Sequence, residues 1–231
     1  MKDKYFTNCC VLRGQLVKKL PMSTIVWDRE LFFLLQIGRE EDGMAVPVMC
    51  HAVEDVLPFG EIREGDWVYV TGELHEISGG DEKKYALLVE CRHMEVLQHE
   101  ADRQVTNLVL FTGKVYGDVG LPKDHPKCKC LFDLEVKQSN IYEFYYLTCV
   151  AGRDISQEEI NLVLSPDELQ ITGSLVMLET ENLPDARVGY VQVFRVSRPK
   201  DRTGRLLLGH LRTALMAGNS RMEGVSNNGQ V

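Results

Sequence analysis

The chain has 231 residues, 44% hydrophobic and 26% charged, with a formal net charge of -8. That length suits one large domain or two of roughly 100 residues. No apolar run reaches the ~18 residues of a membrane span, and Met1 to Phe6 carry charge without an apolar signal core, so the expected compartment is the cytoplasm, with no membrane partner.

Cys9 to Val17 reads as a first strand, with Gly14 where strongly bent strands carry glycine. Arg29 to Ile37 alternates apolar and polar residues and predicts a second strand. Glu40 to Gly43 forms a hairpin turn into a third, Met44 to Cys50. Ala52 to Ile62 is short and Pro-interrupted, and reads as a helical turn or two. A fourth strand runs from Gly65-Asp66 to Leu74, and a fifth from Tyr85 to Leu97 after the Ser78–Asp81 hairpin.

His99 to Gln104 is a polar linker. Five further strands follow: Leu108–Tyr116, Cys128–Lys137, Tyr142–Val150, Glu168–Met177 and Arg187–Val196. Ser156 and Glu159, between the third and fourth of these, have capping-box spacing for a short helix. Residues 199–231 hold a basic link, a helical stretch over Leu206–Met216 weakened by Gly209, and a Gly/Ser/Asn-rich tail that reads as disordered. The expected organisation is a first domain over 8–98, a second over 107–198, and this tail.

The second set of strands is a copy of the first. A shift of 99 positions carries Asn8 onto Asn107, Gly14 onto Gly113, Phe33 onto Phe132, Leu35 onto Leu134 and Cys50 onto Cys149. The apolar rhythm Leu31-Phe33-Leu35-Ile37 falls on Cys130-Phe132-Leu134-Val136. A shift of 101 aligns Asp66-to-Leu74 with Asp167-to-Leu175, and one of 102 puts Val89 on Val191 and Cys91 on Val193. This ordered drift is what small loop insertions leave in an ancient duplication. Of the seven cysteines, Cys10, Cys50, Cys91, Cys130 and Cys149 fall on apolar positions of the repeat. They therefore behave as small buried hydrophobes and not as a disulfide framework.

Five strands with a short helix between the third and fourth is the order of the OB-fold, a five-stranded Greek-key barrel. The fold class is thus all-β, two tandem OB-fold barrels with a short C-terminal helix. Strand count alone leaves another small β-barrel or sandwich open.

The line Asn107 to Val115, the segment Asp167 to Gly173 and a β-branched last strand together resemble the bacterial single-stranded DNA-binding protein. The first copy carries the same line in Asn8 to Leu16, Gly65 to Gly72 and Leu87 to Leu97. His125 to Glu135 is similar to the second strand of the primosomal replication protein of the same fold. The whole chain resembles the tandem-OB single-stranded DNA-binding proteins of Gram-positive anaerobes and their mobile elements. The resemblance implies non-catalytic binding of single-stranded DNA in replication, recombination or mobile-element DNA metabolism. It also implies a homodimer or larger homo-oligomer, and replication or recombination proteins as partners. Two departures stand out. Cys50 and Cys149 occupy the end of the third strand, where the family carries a stacking aromatic, and the chain ends Asn228-Gly229-Gln230-Val231 without an acidic tip.

Binding a single strand without sequence preference needs cations along the phosphates and flat rings under the bases. With Phe132, Leu134 and Val136 inward, the two-residue period points Lys127, Lys129, Asp133, Glu135 and Lys137 outward. Beside them the third strand carries Tyr142, Phe144, Tyr145 and Tyr146, and Arg187 and Tyr190 extend the surface on the last strand. In the first copy Trp27, Arg29, Phe32, Lys83, Lys84 and Tyr85 are the equivalents. There the acidic surplus is larger: residues 1–100 hold 11 basic and 18 acidic side chains, against 11 and 14 in 101–200. Arg195, Arg198, Lys200, Arg202 and Arg205 form a dense basic run, read either as a phosphate grip or as a solvated link. Ring stacking and phosphate contacts do not select a sugar, so RNA stays open as a ligand. A tandem barrel diverged into a protein-binding scaffold or inhibitor is the alternative.

No phosphate-binding glycine loop, nucleophile elbow or paired-histidine metal helix is present. The expectation is no enzyme, no cofactor and no metal. His125, Cys128, Cys130 and Cys149 lack the paired Cys-x-x-Cys spacing of structural zinc sites.

Overall fold

The computed structural model describes residues 8–20, 30–37, 48–53, 55–56, 62–79, 84–99, 105–122, 128–137, 144–180 and 183–199. Ten strands and one helix are found there. The first copy supplies β1 (Asn8–Leu20), β2 (Glu30–Gln36), β3 (Val48–Val53), β4 (Trp67–Gly79) and β5 (Lys84–Val96). The second supplies β6 (Thr106–Gly120), β7 (Cys130–Lys137), β8 (Phe144–Ala151), helix α1 (Gln157–Val163), β9 (Leu169–Thr180) and β10 (Leu183–Ser197). The alternation read from the sequence decides which side chains go in. Phe33, Leu35 and Ile37 are buried in one copy, and Cys130, Phe132, Leu134 and Val136 in the other.

The first five strands close on themselves in the order β1-β2-β3-β5-β4-β1, with β3 and β5 parallel and the other pairs antiparallel. The second five close identically as β6-β7-β8-β10-β9-β6. This is the OB-fold barrel, built twice. The sequence shifts reappear as strand register. Cys10 pairs with Gly72 and Val109 with Gly173; Phe33 pairs with Cys50 and Phe132 with Cys149; Cys50 pairs with Val89 and Cys149 with Val191. Gly14 and Gly113 explain themselves in the same way. A Cβ on either would overlap the carbonyl oxygen of Gln36 or Glu135 on the next strand, so only glycine lets the backbones approach there.

The barrels are joined by one antiparallel seam, β1 to β6, running from Asn8↔Phe111 to Arg13↔Thr106. At its centre Cys10 pairs with Val109, its own counterpart in the repeat. The seam is therefore isologous, as in a two-fold dimer, although both halves belong to one chain. Val11 and Leu110 are buried beside it. At its margins each copy uses its asparagine alike. Asn8 Nδ2 donates to the Leu74 carbonyl at 2.7 Å and its Oδ1 accepts from Leu74 N–H at 2.9 Å; Asn107 does the same with Leu175 at 2.7 and 2.9 Å.

Helix α1 starts where the spacing predicts. The Ser156 side chain accepts from Glu159 N–H at 3.2 Å, and Glu159 accepts from Ser156 N–H at 2.9 Å, a complete capping box. The other Glu159 oxygen accepts from Val196 N–H at 3.0 Å and ties the helix to β10. Burial opposes ionisation of Glu159, but these hydrogen bonds outweigh it and hold the carboxyl below its usual value. In the first copy Ala52 and Val53, expected in a helical turn, instead continue β3, because they pair with Leu31 and Glu30 on β2. The predicted C-terminal helix and the rest of 200–231 lie outside the described residues. Among the described residues no helix is long and apolar enough to cross a membrane.

Two stability predictions follow from these bonds. Asn8→Ala and Asn107→Ala each lower unfolding stability by about 1–3 kcal/mol in urea titrations, with the more deeply buried Asn8 at the upper end. Glu159 has a depressed folded pKa, so its contribution is present above the ordinary carboxylate pKa and is lost as pH falls through the folded value. The stability gap between wild type and Glu159→Gln is therefore largest near neutrality and closes in acid.

Candidate nucleic-acid interface

The outer face of β6, β7, β8 and β10 carries the expected chemistry in three rows set by strand register. Lys137 pairs with Phe144; Lys114 pairs with Glu135, which pairs with Tyr146; Tyr116 pairs with Asp133, which pairs with Thr148. Thr148 and Tyr190 each immediately precede the parallel Cys149–Val191 pair, so the half-buried Tyr190 continues the last row. The rings of Tyr116 and Tyr146 meet diagonally across β7, with centroids 4.5 Å apart and planes tilted by 41°. Tyr116, Phe144 and Tyr146 are 55%, 52% and 46% exposed, while Lys114 and Lys137 are exposed beside them. Flat rings held open to solvent on a strand face offer a platform on which planar groups stack.

Two carboxylates lie within this platform, and hydroxyls orient both. Thr148 Oγ1 donates to Asp133 at 2.9 Å, and the Tyr146 hydroxyl donates to Glu135 at 3.4 Å. Partial burial, then the Glu135 charge, hold the Tyr146 phenol above its usual pKa, so it remains a donor at neutral pH.

Four expected residues are placed elsewhere. Tyr145 is 1% exposed, in the core of the second barrel. Strand alternation turns it inward between Phe144 and Tyr146, and its hydroxyl accepts from Asn8 Nδ2 at 2.8 Å, linking the two barrels. It is no stacking ring. Lys129 is half-buried and donates from Nζ to the Ile155 carbonyl ahead of α1. Arg195, past a bulge in β10, lies close enough to Glu159 of α1 to lower its pKa. Arg198 is exposed just beyond the end of β10.

Trp27, Arg29, Lys83, Lys127 and Tyr142 lie outside the described residues, as do Lys200, Arg202 and Arg205. Of Lys84, Tyr85 and Arg187 only the strand backbone is described. Sequence reasoning missed Tyr116 and Lys114 as surface groups. The signal was present: with Val109, Phe111 and Gly113 inward, Lys114 and Tyr116 fall on the other face.

The first barrel is different at the same positions. Where the second has Lys114, Tyr116, Asp133, Glu135 and Thr148, the first has Gln15, Val17, Leu34, Gln36 and Met49. Its outer face carries Phe32 stacked on His51, with centroids 4.1 Å apart, and His51 3.6 Å from Glu30. Cys50 and Cys149 are fully buried, so neither strand end offers a platform there.

Cys130 and Cys149 are core residues, and His125 lies outside the described residues. Burial raises the Cys130 thiol to about 11 and that of Cys149 well above its usual value, so both stay protonated like other buried core thiols.

No protein-family model matches the sequence, and no curated protein does. Among solved structures, a deletion variant of the single-stranded DNA binding protein from Thermus aquaticus superposes with a TM-score of 0.62 at 19% identity. The match covers 84% of this chain and 95% of that one. The wild-type Thermus aquaticus protein gives 0.59 at 18%, covering 84% and 93%. The N-terminal domain of PriB from Thermoanaerobacter tencongensis covers 40% and 98% at 18% identity, with a TM-score of 0.33, too low to add to the comparison. At these identities the likeness establishes the shared fold.

The alternation along β8 makes a sharp prediction. Tyr145→Phe leaves one of the two buried Asn8 Nδ2 hydrogens without its acceptor and costs about 1–3 kcal/mol of unfolding stability, whereas Phe144→Ala and Tyr146→Ala stay within about 0.5 kcal/mol. Equal losses for Tyr145 and Tyr146 in urea titrations would contradict this placement.

Proposed function

We propose that the chain is a non-catalytic single-stranded DNA-binding protein, coating or guiding a strand in replication, recombination or mobile-element transfer. The observation that carries this reading is the exposed ring platform of Tyr116, Phe144 and Tyr146, flanked by Lys114 and Lys137. Each base stacked on an aromatic contributes roughly 1–3 kcal/mol, and lysines at the margin meet the phosphates. The fold shared with a protein named for this activity supports it.

The proposal extends to assembly as a homodimer or larger homo-oligomer, bringing several barrels to one strand. Support comes from the first barrel, whose outer face has Val53 exposed two residues along β3 from the Phe32–His51 stack and Val17 exposed on β1. The same face favours a second reading, in which the tandem barrel serves chiefly as a protein scaffold or inhibitor, with replication or recombination proteins as its partners.

Anisotropy titration of a fluorescent mixed-sequence oligonucleotide tests the first reading. Binding is expected at both about 50 and about 200 mM salt, weakening only modestly, because few cations line the platform. The double variant Tyr116→Ala/Tyr146→Ala is expected to bind about 10- to 100-fold more weakly while its unfolding midpoint holds. Folded wild type that binds at neither salt sinks the reading and leaves the scaffold. Competition by the matched RNA oligomer separates the two sugars.

A further inference from the structure

The most unusual feature of the platform is what stands in its middle. Asp133 and Glu135 both rise from β7, the central strand, with Asp133 between Tyr116 and Thr148 and Glu135 between Lys114 and Tyr146. Negative charge here repels phosphate, so these groups cannot lie under the sugar-phosphate path. An ionised carboxylate accepts hydrogen bonds only, at about four lone-pair sites. In this structure the Thr148 and Tyr146 hydroxyls each occupy one side of a carboxylate and set its orientation. Further lone-pair sites remain for a ligand that brings donors.

Rings and acids together impose an arrangement on a bound strand. Phosphates keep to the margin, over Lys114 and Lys137, and the bases turn inward, with their faces on the tyrosines and their edges toward β7. The edge that meets Asp133 or Glu135 must then present N–H groups. The cytosine N4 amino group does so, as do adenine N6 and guanine N1 with N2. Thymine has no exocyclic amino group, and its single N3–H is flanked by two carbonyl oxygens that a carboxylate repels.

We propose that Asp133 and Glu135 are specificity-determining residues, making this face select amino-bearing bases over thymine. The inference rests on the single-strand-binding reading above and names the bases that the same site takes. Nothing equivalent is built in the first barrel, where Leu34 and Gln36 occupy the two aligned positions. Selection is thus a property of the second barrel.

The test compares oligodeoxycytidine with oligodeoxythymidine of equal length, two pyrimidines of similar ring size, in anisotropy titrations of the full chain near neutral pH. Cytidine is expected to bind about tenfold tighter. In the Asp133→Asn/Glu135→Gln variant that ratio is expected to fall to near one, chiefly through a gain in thymidine affinity, because an amide can both donate and accept. A gain of binding cannot arise from misfolding. Equal or tighter binding of thymidine by the wild type overturns the inference and leaves strand binding standing. An unchanged ratio in the variant overturns it too, since the preference then has another origin. Folded protein that binds neither oligomer overturns this inference and the proposed function together.

Discussion

The β1–β6 seam is the contact on which the molecule depends. A barrel strand whose outer edge met only solvent would leave a row of N–H and C=O groups open to any other edge. Along Asn8–Arg13 those groups pair with Thr106–Phe111 instead, and two barrels become one ten-stranded sheet. The pairing of Cys10 with Val109, equivalent residues of the repeat, shows how it works. An edge that pairs antiparallel with a copy of itself satisfies both copies at once, which is the logic of a two-fold dimer. Duplication within one chain makes that contact intramolecular, so it no longer costs the entropy of association. The side chains then reinforce it. Val11 and Leu110 are buried at the seam, and Asn8 reaches across to the Tyr145 hydroxyl of the other barrel.

With both cores held by the same bonds, the outer faces are free to differ. The constraints common to the copies are inward ones: Gly14 and Gly113, Asn8 and Asn107, Phe33 and Phe132, Cys50 and Cys149. The outward positions of the two copies share almost nothing. The second barrel carries tyrosines, lysines and carboxylates there. The first carries leucine, methionine and valine, with acids paired to histidine or arginine: Glu30 with His51, and Glu90 with His75 and Arg92. A sheet with one face buried fixes its register strictly and its solvent face hardly at all. Divergence of the outer faces between the copies therefore needed no change to the fold.

The same physics decides how much of this was legible in the sequence. Register was readable to the residue, because a slip by one position turns every apolar side chain outward, and the shifts of 99, 101 and 102 recur as cross-strand pairs. Helix α1 was readable because Ser156 and Glu159 can satisfy each other's backbone groups only at that spacing. The site was harder. Three aromatics in a row at Phe144-Tyr145-Tyr146 look like one platform, yet a strand must send the middle one inward. Counting back by twos from the core residue Cys149 assigns Tyr145 to the inside. Tyr116 was missed for a different reason. It reaches Tyr146 only because β6 and β8 flank β7 with a diagonal short enough for two rings, a proximity that exists only after three strands have paired. Lys129 looked like an outward cation, but its stem folds back to the Ile155 carbonyl, a partner far along the chain.

The acidic balance of the chain gains a local meaning from this geometry. A charge of -8 argues against holding a polyanion by its field. Most of the surplus belongs to the first hundred residues, away from the ring platform, and the two carboxylates inside the platform sit where bases, not phosphates, would lie. Stacking depends little on ionic strength, whereas phosphate contacts release counterions and weaken steeply with salt. On the proposed reading, a face built of three rings and few lysines holds a strand by its bases more than by its backbone. Such a face tolerates carboxylates at its centre, because the charge that repels a phosphate is the same charge that accepts from an amino group.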